Sequence, residues 1–373
     1  MNILINASNL SGGGGVQVAD SICRHLSRFD AHKFIVVFSS AFDRTIDAIQ
    51  SYDNVIVKKY DYPKSDFKSF LTLRNSYLDN LVLEYAIECV YTVFGPMKWK
   101  PKCQHVCGFA LAHIVMPESP YFMIMDFMQR LNWFIRIKVW ELIFRRSSKY
   151  FITENPLITK KLQKKFSHSH VYTITNSYNQ VFDDVTLQEN LELPRFDGVT
   201  ILSIGTNYAH KNLSITKDIA KILKRDYPKI KFRFVLTIQE NQFLPLNEDI
   251  RDCFIFIGKV SVNKCPSLYK QSDIAFVPTL LECFSAAYPE AMRMEIPIVT
   301  TDLEFANGLC GDAAIYYDAL NASDAAHKLY QLMCNSKLRE NLIIRGRERL
   351  LTFDNNIDRI NKVLRLCEEV AKR

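Results

Sequence analysis

No apolar run in this 373-residue chain is long enough to span a bilayer as a helix. Helical membrane-spanning proteins are therefore outside the range of readings. The opening ten residues, MNILINASNL, have neither a basic n-region nor a long apolar stretch, so no secretory leader is expected. No CxxC pair occurs. The ten cysteines are scattered, with Cys103 and Cys107 the nearest spacing of that kind. That argues against a zinc ribbon or a dithiol redox centre, and leaves reduced, mostly buried thiols in a cytoplasmic protein. Glycine is sparse at 12 residues, yet four stand together as Gly12–Gly15. This run is neither of two familiar loops. A dinucleotide GxGxxG counted from Gly12 would need glycine at Gln17, and a P-loop would need GK[ST]. No cluster with metal-ligand spacing stands out, so no metal is expected.

What is there is an ordinary globular balance, 48% hydrophobic and 23% charged, enough for two cores. Charge is uneven. Residues 1–180 carry 22 Lys and Arg against 14 Asp and Glu, while residues 181–373 carry 25 against 26. The basic first half suits a negatively charged partner surface.

Short β-rich apolar runs alternate with helical patterns. NILINA, KFIVVFS, NVIVKKY, ECVYTVF, QHVCGFA, KYFIT and HVYTIT read as strands of a first half. VTILSIG, KFRFVLTI, CFIFIG, DIAFVP and IPIVTT read as strands of a second. Such alternation indicates βαβ units and parallel sheets covered on both faces. Expected are two doubly wound, Rossmann-like α/β domains facing a cleft, with ligands at the carboxyl ends of the strands. The expected division is 1–178, a polar linker 179–198, 199–352, and a C-terminal helical segment 353–373 that packs back towards the N-terminal domain.

Three places carry chemistry. Gly12–Gly15 lies between a strand and a helix, where bare backbone can approach an anion; a passive turn is the plainer alternative. Lys211 stands near a helix start, against the helix dipole, a conflict that an anionic ligand resolves; a solvated surface lysine is the alternative. In LLECFSAAYPEAM, Glu282 sits in a loop and Glu290 at the start of a helix opened by Pro289. Buried carboxylates need donors, which sugar hydroxyls supply. Alternatively Glu290 caps its helix and Glu282 pairs with a cation.

Taken in order, Gly258–Lys259, LYKQSDIAFVP, LLECFSAAYPEAM, PIVTTD and GDAA resemble the nucleotide-sugar site of retaining GT-B glycosyltransferases, glycosyltransferase family four. The likeness covers about Val199 to Tyr330. It implies a hexosyltransferase of GT-B fold that uses a nucleotide-diphosphate sugar, such as GDP-mannose, without a metal. It implies that Glu290 holds the donor ribose, Glu282 the donor sugar and Lys211 the diphosphate. Backbone amides of Phe284, Ser285 and Ala286 would face sugar and phosphate, and Gly258 and Val260 the base. Gly14 and Gly15 would approach the donor or acceptor from the other domain. A histidine near the reacting carbon is implied; His113 is favoured over His105. The chain departs from the pattern at Thr206 and Asn207, where the family has a second cation, at Cys283 and Ser285, where it has glycines, and at Gly308, where many members have glutamate.

The segment Tyr121–Tyr150 is rich in aromatics and methionine and carries Arg130, Arg136, Lys138, Arg145 and Arg146. It is expected to form a basic amphipathic helix in contact with an anionic membrane surface. The expected function is transfer of a sugar to a glycan, carried on a lipid, in lipopolysaccharide or O-antigen assembly at the inner face of the cytoplasmic membrane. A non-catalytic partner of the same fold is the alternative. Nucleic-acid binding is not expected, since no recognised motif accompanies the basic half.

Overall fold

The computed structural model describes residues 1–63 and 72–373. The chain divides into two units. The first comprises Met1–Pro117, Met125–Asn176 and Asp354–Arg373; the second comprises Glu118–Ile124 and Ser177–Phe353.

The first unit is built on seven parallel strands: β1 (Asn2–Ala7), β2 (Lys33–Phe38), β3 (Val55–Lys59), β4 (Cys89–Thr92), β5 (Gln104–Gly108), β6 (Tyr150–Thr153) and β7 (His170–Thr173). Their order is β3-β2-β1-β4-β5-β6-β7. In β1, Ile3, Leu4 and Ile5 are all buried. Both faces of this strand are covered, which is why it reads as a continuous apolar run. Gly108 closes β5 where a Cβ would lie 1.8 Å from the Val93 carbonyl oxygen, so only glycine fits.

The second unit has six parallel strands: β8 (Val199–Ser203), β9 (Phe232–Leu236), β10 (Phe254–Phe256), β11 (Ile274–Val277), β12 (Ile298–Thr301) and β13 (Ala314–Tyr317). The order β10-β9-β8-β11-β12-β13 reverses direction at β8. In doubly wound sheets ligands bind at the carboxyl edge beside such a switch point, here between β8 and β11. Both units are thus Rossmann-like and doubly wound. The strand β13, inside GDAAIYYD, is not among the expected strands.

The chain returns to the first unit at Asp354. There the Asp354 carboxylate accepts from the Thr175 amide at 3.0 Å, and the Asp354 amide donates to the Thr175 hydroxyl at 2.8 Å. The helix Asn356–Ala371 follows. Its Ile360, Val363, Leu364 and Cys367 enter the same core as Ile3, Ile5 and Tyr91. Arg359, on this helix, makes a buried ion pair with Glu154 at 2.8 Å. Burial raises the Glu154 carboxyl above its ordinary range despite the arginine. Removing one partner leaves the other charge stranded. Arg359→Met is therefore expected to cost about 3–5 kcal/mol in a urea titration at pH 8. The cost should shrink at pH 5, where Glu154 can take up a proton.

Two expectations are corrected. Residues 179–198 do not form a free linker but pack within the second unit. Val181 and Phe182 are buried, and Phe182 meets Tyr269 edge-on at 5.9 Å. The Leu191 and Leu193 amides are held by Ser267 and Gln271 side chains at 3.1 and 2.9 Å. Those apolar anchors outweigh the acidic composition. The segment 121–150, expected as a basic amphipathic helix, is not one helix throughout. A 3-10 turn covers Pro120–Phe122, and the α-helix runs from Phe127 to Ser147 behind a capping box of Asp126 and Gln129. Only its last turns reach the core, through Ile143, Phe144 and Ser147. Phe144 packs on Phe109 and Phe151. Much of the solvent side carries apolar residues, with Phe127 76% and Phe134 58% exposed.

All ten cysteines are free thiols; Cys334 is exposed, Cys103 partly so, and the other eight are buried. No helix among the described residues is long and apolar enough to cross a membrane.

Candidate functional site

The carboxyl edge of the second sheet gathers the polar residues. After β8 the chain runs through Gly205, whose amide is held by the Thr237 hydroxyl at 2.8 Å. It then forms the short 3-10 turn Ala209–Lys211, closed by Asn212 in a left-handed conformation with φ of 51°. After β11 the chain runs from Pro278 to Glu282. The two loops are stitched together: the Leu280 amide donates to the His210 carbonyl at 2.8 Å, and the Thr279 hydroxyl donates to the same carbonyl at 3.3 Å. This brings Lys211 and Glu282 into a direct ion pair between Nζ and Oε1. The other oxygen of that carboxylate, Oε2, is buried without a hydrogen-bond partner among the described residues. The same holds for Nδ2 of Asn212. Orphaned buried atoms of this kind carry a cost of about 1–3 kcal/mol each unless a ligand or water meets them.

Glu290 lies in the first turn of the helix Ala287–Arg293 and is 9% exposed. Its Oε2 accepts from the Tyr269 hydroxyl at 3.1 Å. Burial pushes its carboxyl up to about 7; the Tyr269 bond and the nearby Lys211 charge pull the other way and do not win. A half-ionised carboxylate at neutral pH is primed to accept hydrogen bonds from hydroxyl groups. His210, next to Lys211, is kept neutral: burial, then the Lys211 charge, lower it to about 4.

The remaining expected residues fall as follows. Phe284, Ser285 and Ala286 form the turn that leads into the Glu290 helix, and their amides donate no hydrogen bond among the described residues. Ser285 is buried, and Phe284 meets Phe353 edge-on at 5.9 Å. Gly258, with φ of 70°, and Val260 follow β10 at the same edge.

In the first unit, the helix Gly14–Cys23 begins inside the glycine run without a side-chain cap, and Gly13 has φ of 69°. Nothing stands within 4 Å of where a Cβ on Gly12, Gly13 or Gly14 would lie, whereas Gly15 packs against Leu10 and Phe94. His113 stacks on Trp133 at 4.2 Å, the rings 3° from parallel. His105 is a core residue. Its ring bonds the Thr92 hydroxyl and the Ser147 carbonyl, both at 2.9 Å, and burial lowers it to about 4. Among the expected membrane contacts, Arg145 pairs with Glu141 at 2.9 Å and Lys138 stands 4.0 Å from the same glutamate. Arg136 lies over Trp133, and Arg130 bonds the Met125 carbonyl. Arg146 is exposed.

Sequence reasoning missed Tyr269, Asn212 and His210. Tyr269 was visible only as one aromatic in LYKQSDIAFVP. Its role depends on the helix Cys265–Lys270 setting it against Glu290.

Comparison with known proteins finds likeness in sequence and in fold. Residues 192–349 match the family Glycosyl transferases group 1. A Haemophilus influenzae protein described as an uncharacterized glycosyltransferase is 26% identical over 140 residues, which is 37% of each chain. The match therefore spans well under half of that relative. Among solved structures, Anabaena HepE in complex with UDP-glucose superposes with a TM-score of 0.67 at 13% identity, covering 99% of this chain and 100% of that one. WaaG, a glycosyltransferase involved in lipopolysaccharide biosynthesis, superposes at 0.67 and 14% identity, covering 98% and 99%. At these identities the likeness carries the fold, which is that of GT-B glycosyltransferases.

Proposed function

We propose that this chain, which carries a glycosyl transferases group 1 domain on the two-unit Rossmann-like fold, is a retaining hexosyltransferase. It moves a sugar from a nucleoside diphosphate to a glycan acceptor. One observation carries this reading. The buried Glu290 carboxyl, bonded to Tyr269, shares one sheet edge with a Lys211–Glu282 pair that has an unsatisfied carboxylate oxygen.

The chemistry follows from the charges. Glu290 accepts the ribose hydroxyls. Lys211 leaves Glu282 for the diphosphate, whose growing negative charge it stabilises as the sugar bond breaks. Glu282, released, accepts hydroxyls of the donor sugar. Until then the two side chains neutralise each other. Retention is assigned to attack on the face that the phosphate leaves. The two glutamates are thus not a glycosidase acid and nucleophile. No metal is assigned. For the acceptor chemistry we keep His113, since the ring of His105 is committed to Thr92 and Ser147. The donor implied by the sequence is GDP-mannose, and the HepE complex makes UDP-glucose the second to try. The test is release of nucleoside diphosphate from both sugars, with the product anomer assigned by NMR. No release from any nucleotide hexose, or an inverted anomer, overturns the reading.

The acceptor is proposed to be lipid-linked, at an anionic membrane face. The contact is carried by Phe127, Leu131, Phe134, Ile135 and Leu142, apolar residues left in solvent on the Phe127–Ser147 helix. Lys138, Arg145 and Arg146 flank them. Burying one such side chain in lipid is worth about 1.5–3 kcal/mol. The double change Phe127→Asp and Phe134→Asp is expected to weaken binding to vesicles of mixed anionic and neutral lipid at least about tenfold. Replacing Arg145 and Arg146 should do less, because Arg145 already pairs with Glu141. Unchanged vesicle binding by the double variant would remove the membrane from the account.

A further inference from the structure

The segment Glu118–Ile124 belongs to the second unit, although the chain on either side of it, up to Pro117 and from Met125, belongs to the first. Seven residues thus leave one unit, pack on the other and return. Where they pack is specific. The Ser119 hydroxyl donates to the Leu280 carbonyl at 2.6 Å and accepts from the Tyr121 amide at 3.1 Å. Tyr121 is buried, and its ring meets the His210 ring edge-on, 5.9 Å apart at 88°. His210 is also stacked on Tyr208 at 5.6 Å.

Leu280 and His210 are the two residues whose backbones stitch the loops of the site together. One precedes Glu282 by two positions, and the other precedes Lys211 by one. Ser119 caps the carbonyl of the first, and Tyr121 braces the ring of the second. A hydroxyl to a buried carbonyl and an aromatic edge contact each fix direction as well as position. Both act on the residues beside the Lys211–Glu282 pair.

We propose that Glu118–Ile124 is a positioning strap for the diphosphate and sugar end of the donor site, with Ser119 and Tyr121 as its positioning residues. It rests on the reading of Lys211 and Glu282 as donor ligands. The strap holds the two loops at the separation that sets Lys211 against Glu282. Glu290 has its own support, the Tyr269 hydroxyl and the Ala287–Arg293 helix. The strap therefore acts on one end of the donor and not on the other.

The experiment is a binding series on the full chain by titration calorimetry. For the base that stabilises wild type in a panel of UDP, GDP and ADP, the free nucleoside and its diphosphate hexose are both titrated. Variants are Ser119→Ala, Tyr121→Leu, Tyr121→Phe and Lys211→Ala. Ser119→Ala and Tyr121→Leu are expected to weaken the nucleotide sugar about tenfold and leave the nucleoside unchanged. Tyr121→Phe, which keeps the ring, should restore wild-type affinity. Equal weakening of nucleoside and nucleotide sugar, or loss of folding in both Ser119→Ala and Tyr121→Leu, means a merely structural role and overturns the proposal. Unchanged nucleotide-sugar affinity in these two, with affinity lost in Lys211→Ala, sinks the strap alone. Unchanged affinity in Lys211→Ala sinks the donor-site reading beneath it.

Discussion

Glu290→Gln is expected to make the ligand-free protein more stable at pH 8, not less. The carboxyl is raised from 4.5 to about 7 in the folded chain, chiefly by burial. The folded state therefore holds a proton that the unfolded state releases. The stability from that proton is fully present below pH 4.5 and is lost as the pH rises through 7. Above pH 7 the folded protein carries a buried carboxylate with one tyrosine donor. Glutamine keeps the acceptor for Tyr269 and removes the charge. The expected gain is on the order of 1–3 kcal/mol at pH 8, falling towards zero near pH 5. Chemical denaturation at the two pH values reads it. A variant no more stable than wild type at pH 8 would mean that Glu290 is adequately solvated or paired without a ligand. A binding site that is strained until its ligand arrives is the usual exchange of stability for function.

Lys211→Ala should lower kcat/KM for the nucleotide sugar about 10²–10³-fold, or about 3–4 kcal/mol of transition-state stabilisation. Lys211 is the cation at the sheet edge with Glu282 and Glu290, and the second cation of the family pattern is replaced by Thr206 and Asn207. The loss should fall on both KM and kcat, because Lys211 meets the diphosphate in the bound donor and the charge it meets grows as the bond breaks. Lys211→Arg should recover part of it. Steady-state release of nucleoside diphosphate measures all three proteins. A fall of less than about threefold in the alanine variant would assign the diphosphate to another residue.

The parallel sheets were legible because buried strands read as unbroken apolar runs, as in KFIVVFS and DIAFVP. Glu282 and Glu290 stood out because one follows an apolar strand and the other enters the first turn of the next helix, whereas Lys211, read as standing near a helix start, ends a 3-10 turn before the helix Ile215–Asp226. What escaped was long-range pairing. Tyr269 reaches Glu290 across 21 positions, and Ser119 reaches Leu280 across 161. No local pattern marks a hydroxyl as the cap of a distant carbonyl. The stretch 179–198 misled for a related reason. Its acidic composition suggested solvent, while Val181 and Phe182 are buried and Ser267 and Gln271 hold the Leu191 and Leu193 amides. The Phe127–Ser147 helix misled in the opposite sense. It was expected to be amphipathic with a basic face, yet its exposed surface carries large apolar side chains and only its last turns meet the core.

The central claim is that the carboxyl edge of the second sheet holds a nucleoside diphosphate sugar through Glu290. The most direct test is the thermal midpoint of wild type and Glu290→Gln with UDP, GDP, ADP and their hexoses at pH 8. At 100 times its dissociation constant, a ligand stabilises by about 2.7 kcal/mol. The account predicts that one nucleotide and its hexose raise the midpoint of wild type and fail to raise that of the variant. No response of wild type to any of them would contradict it, and would leave a non-catalytic partner of the same fold as the reading to pursue.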